Sequence, residues 1–295
     1  MNLLKKQTAA ERKRSLHRVP REKILSPAEL KRLQQTELTI LEEADRICRE
    51  NRIHYTIIAG TLLGARRHGG FIPWDDDVDI ALLRPEYERF RAACGKLPAD
   101  SLFYFQDIRD TAGYRWGYGK LRRKNTLFRR RGQEHMPFEQ GICIDVFPLD
   151  YIPDSWLGRQ IRCAECFLLR KVLWAPVGAR MESNPAKRFL YRRLSTLPKQ
   201  KLVRLYKALV ARTNRKETAW VRILTFPAPN CQQGYKAKWY RNSTDTVFEG
   251  KVFPGIKEYD EYLSFKFGNW HELPPEQDRK THPVTGIRFP EEGQA

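Results

Sequence analysis

The chain reads as an α/β protein, an α+β arrangement in which a mixed sheet is flanked by helices. Three observations predict this. Helix-period and strand-period segments follow one another through about residue 150. A basic, helix-rich stretch then fills about 156–215. The apolar content, 41% of 295 residues with 12% aromatic, suffices for a real core and excludes a disordered chain.

The elements are read in order as follows. Residues 1–25 are polar and basic without an apolar face, and read as an arm. Ser26-Pro27-Ala28-Glu29 is a helix start, with a capping Ser and Pro at the first helical position. Leu30, Leu33, Leu38, Ile40, Leu41, Ala44 and Ile47 carry that helix to about Glu50. His54–Ala59 reads as a strand broken at Gly60-Thr61, and Leu62–His68 as a short helix. Gly69–Trp74 is turn-rich, and Asp77–Leu82 alternates acid and apolar as a second strand. Pro85 opens a helix to about Cys94, 102–106 is a strand, and 115–130 holds strand-like pieces rich in Arg and Lys. Gly141–Phe147 is a strand that is apolar except for Asp145. Residues 156–215 are expected to be helices interrupted at Pro176, Pro185 and Pro198. Thr246–Phe253 is a strand pair, Tyr259–Phe267 a helix, and the rest a Pro-rich tail. This is one domain over 26–290, with a core at about 26–150, the helical region at 156–215 and a closing segment at about 235–290.

The net charge of +19 favours a polyanionic partner, whether nucleic acid, anionic lipid or a phosphate-bearing substrate, and does not choose among them. No apolar run is long enough to span a bilayer, and residues 1–18 lack the apolar stretch of a signal peptide. A cytoplasmic protein is therefore expected. The six cysteines sit mostly among apolar residues and read as small buried hydrophobes; Cys163 and Cys166 lack the second pair that a zinc site needs.

The segment that points to chemistry is GTLLGARRHGGFIPWDDDVDIALLR, residues 60–84. Residues two apart on a strand share a face, so Asp77 and Asp79 project together, about 6–7 Å apart by strand rise. Two such carboxylates repel unless a cation lies between them, and a hard divalent ion is the usual answer. Asp145, between Ile144 and Val146, is costly to bury without a partner or a metal, and a neighbouring strand can bring it beside the pair. Asp75 points the same way if the chain is already extended there, and serves as a further ligand or base. Asp76 points away and reads as structural. The run lacks the Gly and Glu of a helix–loop–helix calcium site. Gly60-Thr61, between a strand and a helix, would offer backbone N–H groups to a phosphate. Arg66, Arg67, Lys120 and Thr126 are phosphate candidates. Trp116, Tyr118, Trp239, Tyr240 and Trp270 are available for a quaternary ammonium, although such residues usually pack the core. Trp74 reads as packing beneath the acidic loop, and His271 and His282 as surface histidines.

GTLLGARRHGGFIPWDDDVDIAL followed by GICIDVFPLD resembles the LicD family of phosphotransferases, within the nucleotidyltransferase superfamily. The superfamily pattern, a Gly-Ser/Thr turn, an Asp-x-Asp strand and a later lone Asp, falls on Ala59-Gly60-Thr61, Asp77-Val78-Asp79 and Asp145. The likeness runs from about 33 to 283 and thins across 150–235. It implies a nucleotidyltransferase-like core with a helical insertion, and Mg²⁺ or Mn²⁺ held by Asp77, Asp79 and Asp145. It implies transfer of a phospho-alcohol, phosphocholine in the best-known case, from a CDP-activated donor to a sugar of lipopolysaccharide or teichoic acid. A glycolipid acceptor would place the enzyme peripherally at the inner membrane face, held there by its basic arm and helices.

Two other readings use the same features. A nucleotidyltransferase acting on nucleic acid or a small molecule would use the same three acids, but no RNA-binding module is recognisable. A non-catalytic basic binding protein would not need the acids at all.

Overall fold

A computed structural model describes residues 20–227, 233–279 and 281–291. Most of the basic arm, residues 1–19, and Cys231 lie outside the described residues.

Helix α1 (Pro27–Glu50) begins as its sequence dictates. The Ser26 hydroxyl accepts from the Glu29 N–H at 3.2 Å, and the Glu29 carboxylate accepts from the Ser26 N–H at 3.0 Å. After β1 (Thr56–Ile57) the chain turns sharply into α2 (Ala59–His68), then β2 (Asp79–Leu83), α3 (Arg84–Cys94), β3 (Phe103–Gln106), β4 (Gly119–Arg123), β5 (Leu127–Arg130) and β6 (Cys143–Ile152). Three helices follow, α4 (Trp156–Met181), α5 (Pro185–Ser195) and α6 (Lys199–Thr213). The chain closes with β7 (Trp220–Arg222), β8 (Tyr235–Lys236), a 3-10 turn, β9 (Ser243–Phe248), β10 (Lys251–Ile256), α7 (Tyr259–Phe267), a second 3-10 turn and β11 (Val284–Arg288).

The sheet is mixed. Its order is β3-β4-β6-β2-β1-β10-β9, and β6 also pairs through its far half with β7, which pairs β8. β2 runs parallel to β6 with Asp79 opposite Asp145, and β4 runs antiparallel to β6 with Lys120 opposite Asp145. One register row therefore carries Asp79, Asp145 and Lys120 side by side. Because alternate residues point to opposite faces, Ile80, Val146, Ile144 and Leu121 turn the other way, into a fully buried core with Leu33, Ile40 and Leu41 of α1 and Phe90 of α3. A second cluster joins the helical region to the core. Leu173 and Val177 of α4 and Leu202 and Tyr206 of α6 pack on Tyr114, Trp116 and Phe138. The buried Arg84–Asp150 pair, at 2.6 Å, ties α3 to β6, and Tyr206 and Asn214 add hydrogen bonds to it.

Three expectations about elements need correction. Gly60-Thr61 does not break the chain between a strand and a helix. The sharp turn is one residue earlier, at Ala59 with φ +52°, and both residues lie in the first turn of α2. Pro176 does not interrupt α4, which runs through it, whereas Pro185 opens α5 behind an Asn184 cap. The closing tail also contains a strand that its Pro-rich composition concealed. β11 pairs with β5 and brings residues 282–288 back to the core.

Candidate active site

Five carboxyl groups gather at the start of β2 and β6. Asp79 and Asp145 lie on neighbouring strands in one row. Asp75 and Asp77, on the loop entering β2, are close enough to share a hydrogen bond between their carboxyls. Asp76 is buried and takes no place among them. It accepts from the His282 backbone N–H at 2.8 Å and pairs with His282 Nδ1 at 2.9 Å, so it anchors the tail leading into β11. The fifth is Glu37, buried on α1. Gln34 of the same helix donates to the Asp75 carbonyl at 3.0 Å, so α1 turns a polar edge under the acidic loop as well as an apolar face to the sheet.

Crowding and burial set the charge state of the group. Burial, with Asp77 and Asp76 adding to it, pushes Asp75 up to about 8. Burial followed by the Asp77 and Asp145 charges holds Asp79 well above the ordinary carboxylate range. Asp77 is raised by burial, with His282 and Arg130 opposing. Glu37 is raised by burial and then by Asp77. Cationic groups approach the acids from several sides. Lys120 pairs with Asp145, Arg130 stands 3.9 Å from Asp77, and His282 Nδ1 stands 3.5 Å from Asp77. Lys266 of α7 feels the Asp79 charge, although burial lowers its own pKa.

Among the described residues no three Asp, Glu, His or Cys side chains already stand as a metal-holding group. Asp145 turns toward Lys120 and Asp77 toward His282 and Arg130. The donor set nevertheless suits a divalent cation. It offers hard oxygen ligands from two adjacent strands and a loop, and burial, with their mutual repulsion added, raises three pKa values. Asp77, Asp79 and Asp145 would hold the ion once Asp145 turns away from Lys120.

The phosphate candidates divide. Lys120 is at the centre of the site. Thr61 acts on it through the backbone, its hydroxyl accepting from the Asp79 N–H at 2.9 Å. Gly60 makes room: a Cβ there would stand 2.6 Å from Asp75 Oδ2. The expectation for Arg66 and Arg67 needs correction. Arg66 donates to Thr246 at 2.8 Å and stacks on Tyr259, and Arg67 donates to the Trp270 and Glu272 carbonyls. Both bind α2 to the closing segment. Thr126 is also structural here, since its hydroxyl donates to the Arg123 carbonyl and accepts from the Ile142 N–H, beside a separate cavity of about 500 Å³.

Two smaller cavities flank the register row. One, of about 170 Å³, is lined by Asp79, Phe147, Phe226, Tyr235, Tyr240 and Tyr262 together with Arg222 and Lys266. Arg222 is buried, and its Nε and Nη1 have no partner among the described residues. The other, of about 70 Å³, lies past Lys120 between Trp116, Tyr118, Arg122 and Arg130. Sequence reasoning missed Arg222, Lys266, Arg130 and Glu37 and left His282 on the surface. The signal available for Glu37 was its place among the apolar residues of α1, three residues after Gln34.

The nucleotidyltransferase-domain model described as LicD/FKTN/FKRP matches residues 52–161, the stretch that supplies every one of these aspartates. The lipopolysaccharide cholinephosphotransferase LicD of Haemophilus influenzae is 26% identical over 266 residues, which is 84% of this chain and 93% of that protein. Residues 52–161 thus carry a LicD-type nucleotidyltransferase domain. The likeness to the cholinephosphotransferase along most of both chains supports a transferase. Shorter likenesses extend to two uncharacterised Rickettsia proteins. The one from Rickettsia typhi is 37% identical over 73 residues, 23% of this chain and 24% of its own length. The one from Rickettsia prowazekii is 43% identical over 47 residues, 16% of this chain and 18% of its own length. Across the LicD family match, β1, α2, β2 and β6 are the frame that holds the carboxylates.

Proposed function

We propose that this transferase moves a phospho-alcohol, phosphocholine in the first instance, from a CDP-activated donor to a sugar of a lipopolysaccharide or similar cell-surface glycan, with Mg²⁺ or Mn²⁺ at Asp77, Asp79 and Asp145. The observation that carries the reading is the register of Asp79 against Asp145, which sets a half-buried and a buried acid side by side next to Lys120 and the Asp75–Asp77 loop. The Haemophilus influenzae relative, named for cholinephosphate transfer to lipopolysaccharide, supports the substrate class.

The bound ion would supply positive charge against the donor's diphosphate. The chain's own groups do the rest. The acceptor hydroxyl oxygen bonds to the phosphorus, the bond from phosphorus to the nucleotide oxygen breaks, and the nucleotide monophosphate leaves. Asp75, held beside Gly60, is the group that takes the hydroxyl proton. Lys120, paired with Asp145 in this structure, would be free to offer its ammonium to phosphate oxygens when Asp145 serves as a ligand. The cavity beside Asp79 suits the nucleotide end. A cavity of roughly 150 Å³ admits benzene, so one of about 170 Å³ takes a single pyrimidine ring between its aromatic walls. The free Arg222 N–H groups are donors for that ring or its phosphates. A quaternary ammonium would be repelled by Arg222 and Lys266, so the alcohol end points elsewhere. Because the acceptor is part of a glycolipid, this reading also sets the enzyme at a membrane face.

A donor screen tests it. CDP-choline, CDP-ethanolamine, CDP-ribitol and CDP-glycerol are offered with Mn²⁺ or Mg²⁺ and a glycan acceptor, and CMP release is read. Release with at least one donor, dependent on metal and lost in Asp77→Asn and Asp79→Asn, is the expected result. Transfer that persists in chelator, or in either variant, overturns it.

A further inference from the structure

Helix α4 leaves much of its length uncovered. Its inner side, Cys166, Leu173, Ala175 and Val177, is buried. On its outer side Leu157, Ile161, Ala164 and Leu168 follow at helical steps of four, three and four and form one stripe. Leu157 and Leu168 are each 64% exposed and Ile161 is 57% exposed, and Trp156 and Phe167 flank them, also exposed. Helix α5 packs on α4 through Tyr191, which meets Trp174 edge-on at 5.4 Å. It leaves Phe189 and Leu190 exposed in turn. A contiguous apolar surface of this kind on a folded chain marks a partner.

The charge around the stripe says which partner. Residues 156–213 hold 14 Lys and Arg against two Glu, and α5 and α6 hold no acid at all. Glu165 is already engaged by Arg162 at 2.6 Å and Arg212 at 2.7 Å. Arg170 and Lys171 lie over the Phe167 ring, and Arg193 over Phe189, so cations and exposed apolar groups share the same surface. A second copy of the chain would bring two such positive surfaces together. A nucleic acid has no use for exposed leucines beside its phosphates. An anionic bilayer answers both features, its headgroups matching the Arg and Lys and its acyl boundary taking the Leu, Ile and Phe.

We propose that the outer faces of α4 and α5 form a membrane-docking surface that inserts Leu157, Ile161, Leu168, Phe189 and Leu190 into the headgroup boundary of an anionic bilayer. This goes beyond electrostatic attachment, because apolar insertion survives salt that screens charge. It also places the membrane usefully. The helix is about 39 Å long at 1.5 Å per residue. Its far end packs near the site, with Val177 and Met181 against Gly132, two residues beyond Arg130. The proposal gives a surface to the membrane setting in the functional reading, and vesicle binding is read without donor or acceptor, so it can fail independently of that reading.

Binding is read by co-sedimentation of the full chain with phosphatidylcholine vesicles, with and without one-third phosphatidylglycerol, at low and high salt. Trp156 quenching by bromine-labelled lipids, with Trp156→Phe as the control, reports depth. Binding to the anionic vesicles is expected to be about tenfold or more tighter than to the neutral ones, with a residue that resists salt. The variant Leu157→Gln, Ile161→Gln, Leu168→Gln is expected to lose about tenfold in binding at an unchanged melting temperature. Phe189→Ser with Leu190→Ser should weaken binding independently. Transfer to a soluble acceptor should be the same in all of them. Three results each overturn the proposal: a folded wild type that does not bind, a triple variant that binds like wild type, or a dimer that the triple variant dissolves without any vesicle binding.

Discussion

Replacing Asp79 by Asn should make the metal-free protein more stable and the enzyme inactive. Asp79 and Asp145 are register partners on parallel strands, and adjacent strands lie about 4.8 Å apart. Two unit charges about 5 Å apart in an effective dielectric of about 20 repel by about 3 kcal/mol. Lys120 neutralises part of Asp145, so about 1–2 kcal/mol is recoverable. For a chain of this size that is a rise of about 2–8 °C in melting temperature. The pH dependence has a definite sign. Burial first, then Asp77 and Asp145, keeps the Asp79 pKa well above that of the unfolded chain. The folded protein thus holds a proton that the unfolded chain releases, and wild-type stability falls as pH rises from about 4 toward the folded pKa. Asn does not ionise, so the gap between variant and wild type should be near zero at about pH 4 and widen above it. Thermal unfolding in chelator across that range measures the gap. Added Mn²⁺ should raise the wild type and close it. The reasoning fails if the variant melts below wild type at every pH, or if it still transfers.

Further outcomes follow from other residues. Gly60→Ala puts a methyl within 2.6 Å of Asp75 Oδ2; kcat should fall about tenfold or more, while urea unfolding changes by only about 1 kcal/mol because Ala favours the helix. Arg222→Leu removes donors from the cavity beside Asp79, so KM for the nucleotide donor should rise about tenfold or more with kcat much less affected. Asp150→Asn leaves buried Arg84 with only the part-exposed Glu88 as counter-charge and should cost about 3 kcal/mol in urea unfolding. Replacing Arg84 and Asp150 together by Met and Leu should restore most of that loss.

How far the site was legible depended on the kind of signal each residue left. Asp77 and Asp79 stood out because they alternate with apolar residues, and Asp145 because it interrupts an otherwise apolar strand, although β2 begins only at Asp79 and leaves Asp77 on the loop before it. Helix α1 was legible to its first residue through Ser26, Pro27 and Glu29, a local hydrogen-bonding motif. Arg66 and Arg67 misled, since their position after Gly60-Thr61 suits a phosphate grip while their actual partners, Thr246, Tyr259, Trp270 and Glu272, lie about 180–205 residues away. Lys266, Arg222 and His282 reach the site for the same reason, by long-range closure that leaves no local trace. β11 was hidden because its partner β5 is far off in sequence and its own composition resembles a tail.

The sequence alone determined the α/β class, the acidic strand and its lone companion, and the family resemblance, since these depend on periodicity, capping and short motifs encoded within a few residues. Only the tertiary structure decided that Asp145 faces Asp79 on one side and Lys120 on the other, that Arg222 and Lys266 border the cavity next to them, and which face of α4 stays bare. Those facts arise from strand register and from helices packing across long separations, where every contact is set by shape and burial in the whole molecule.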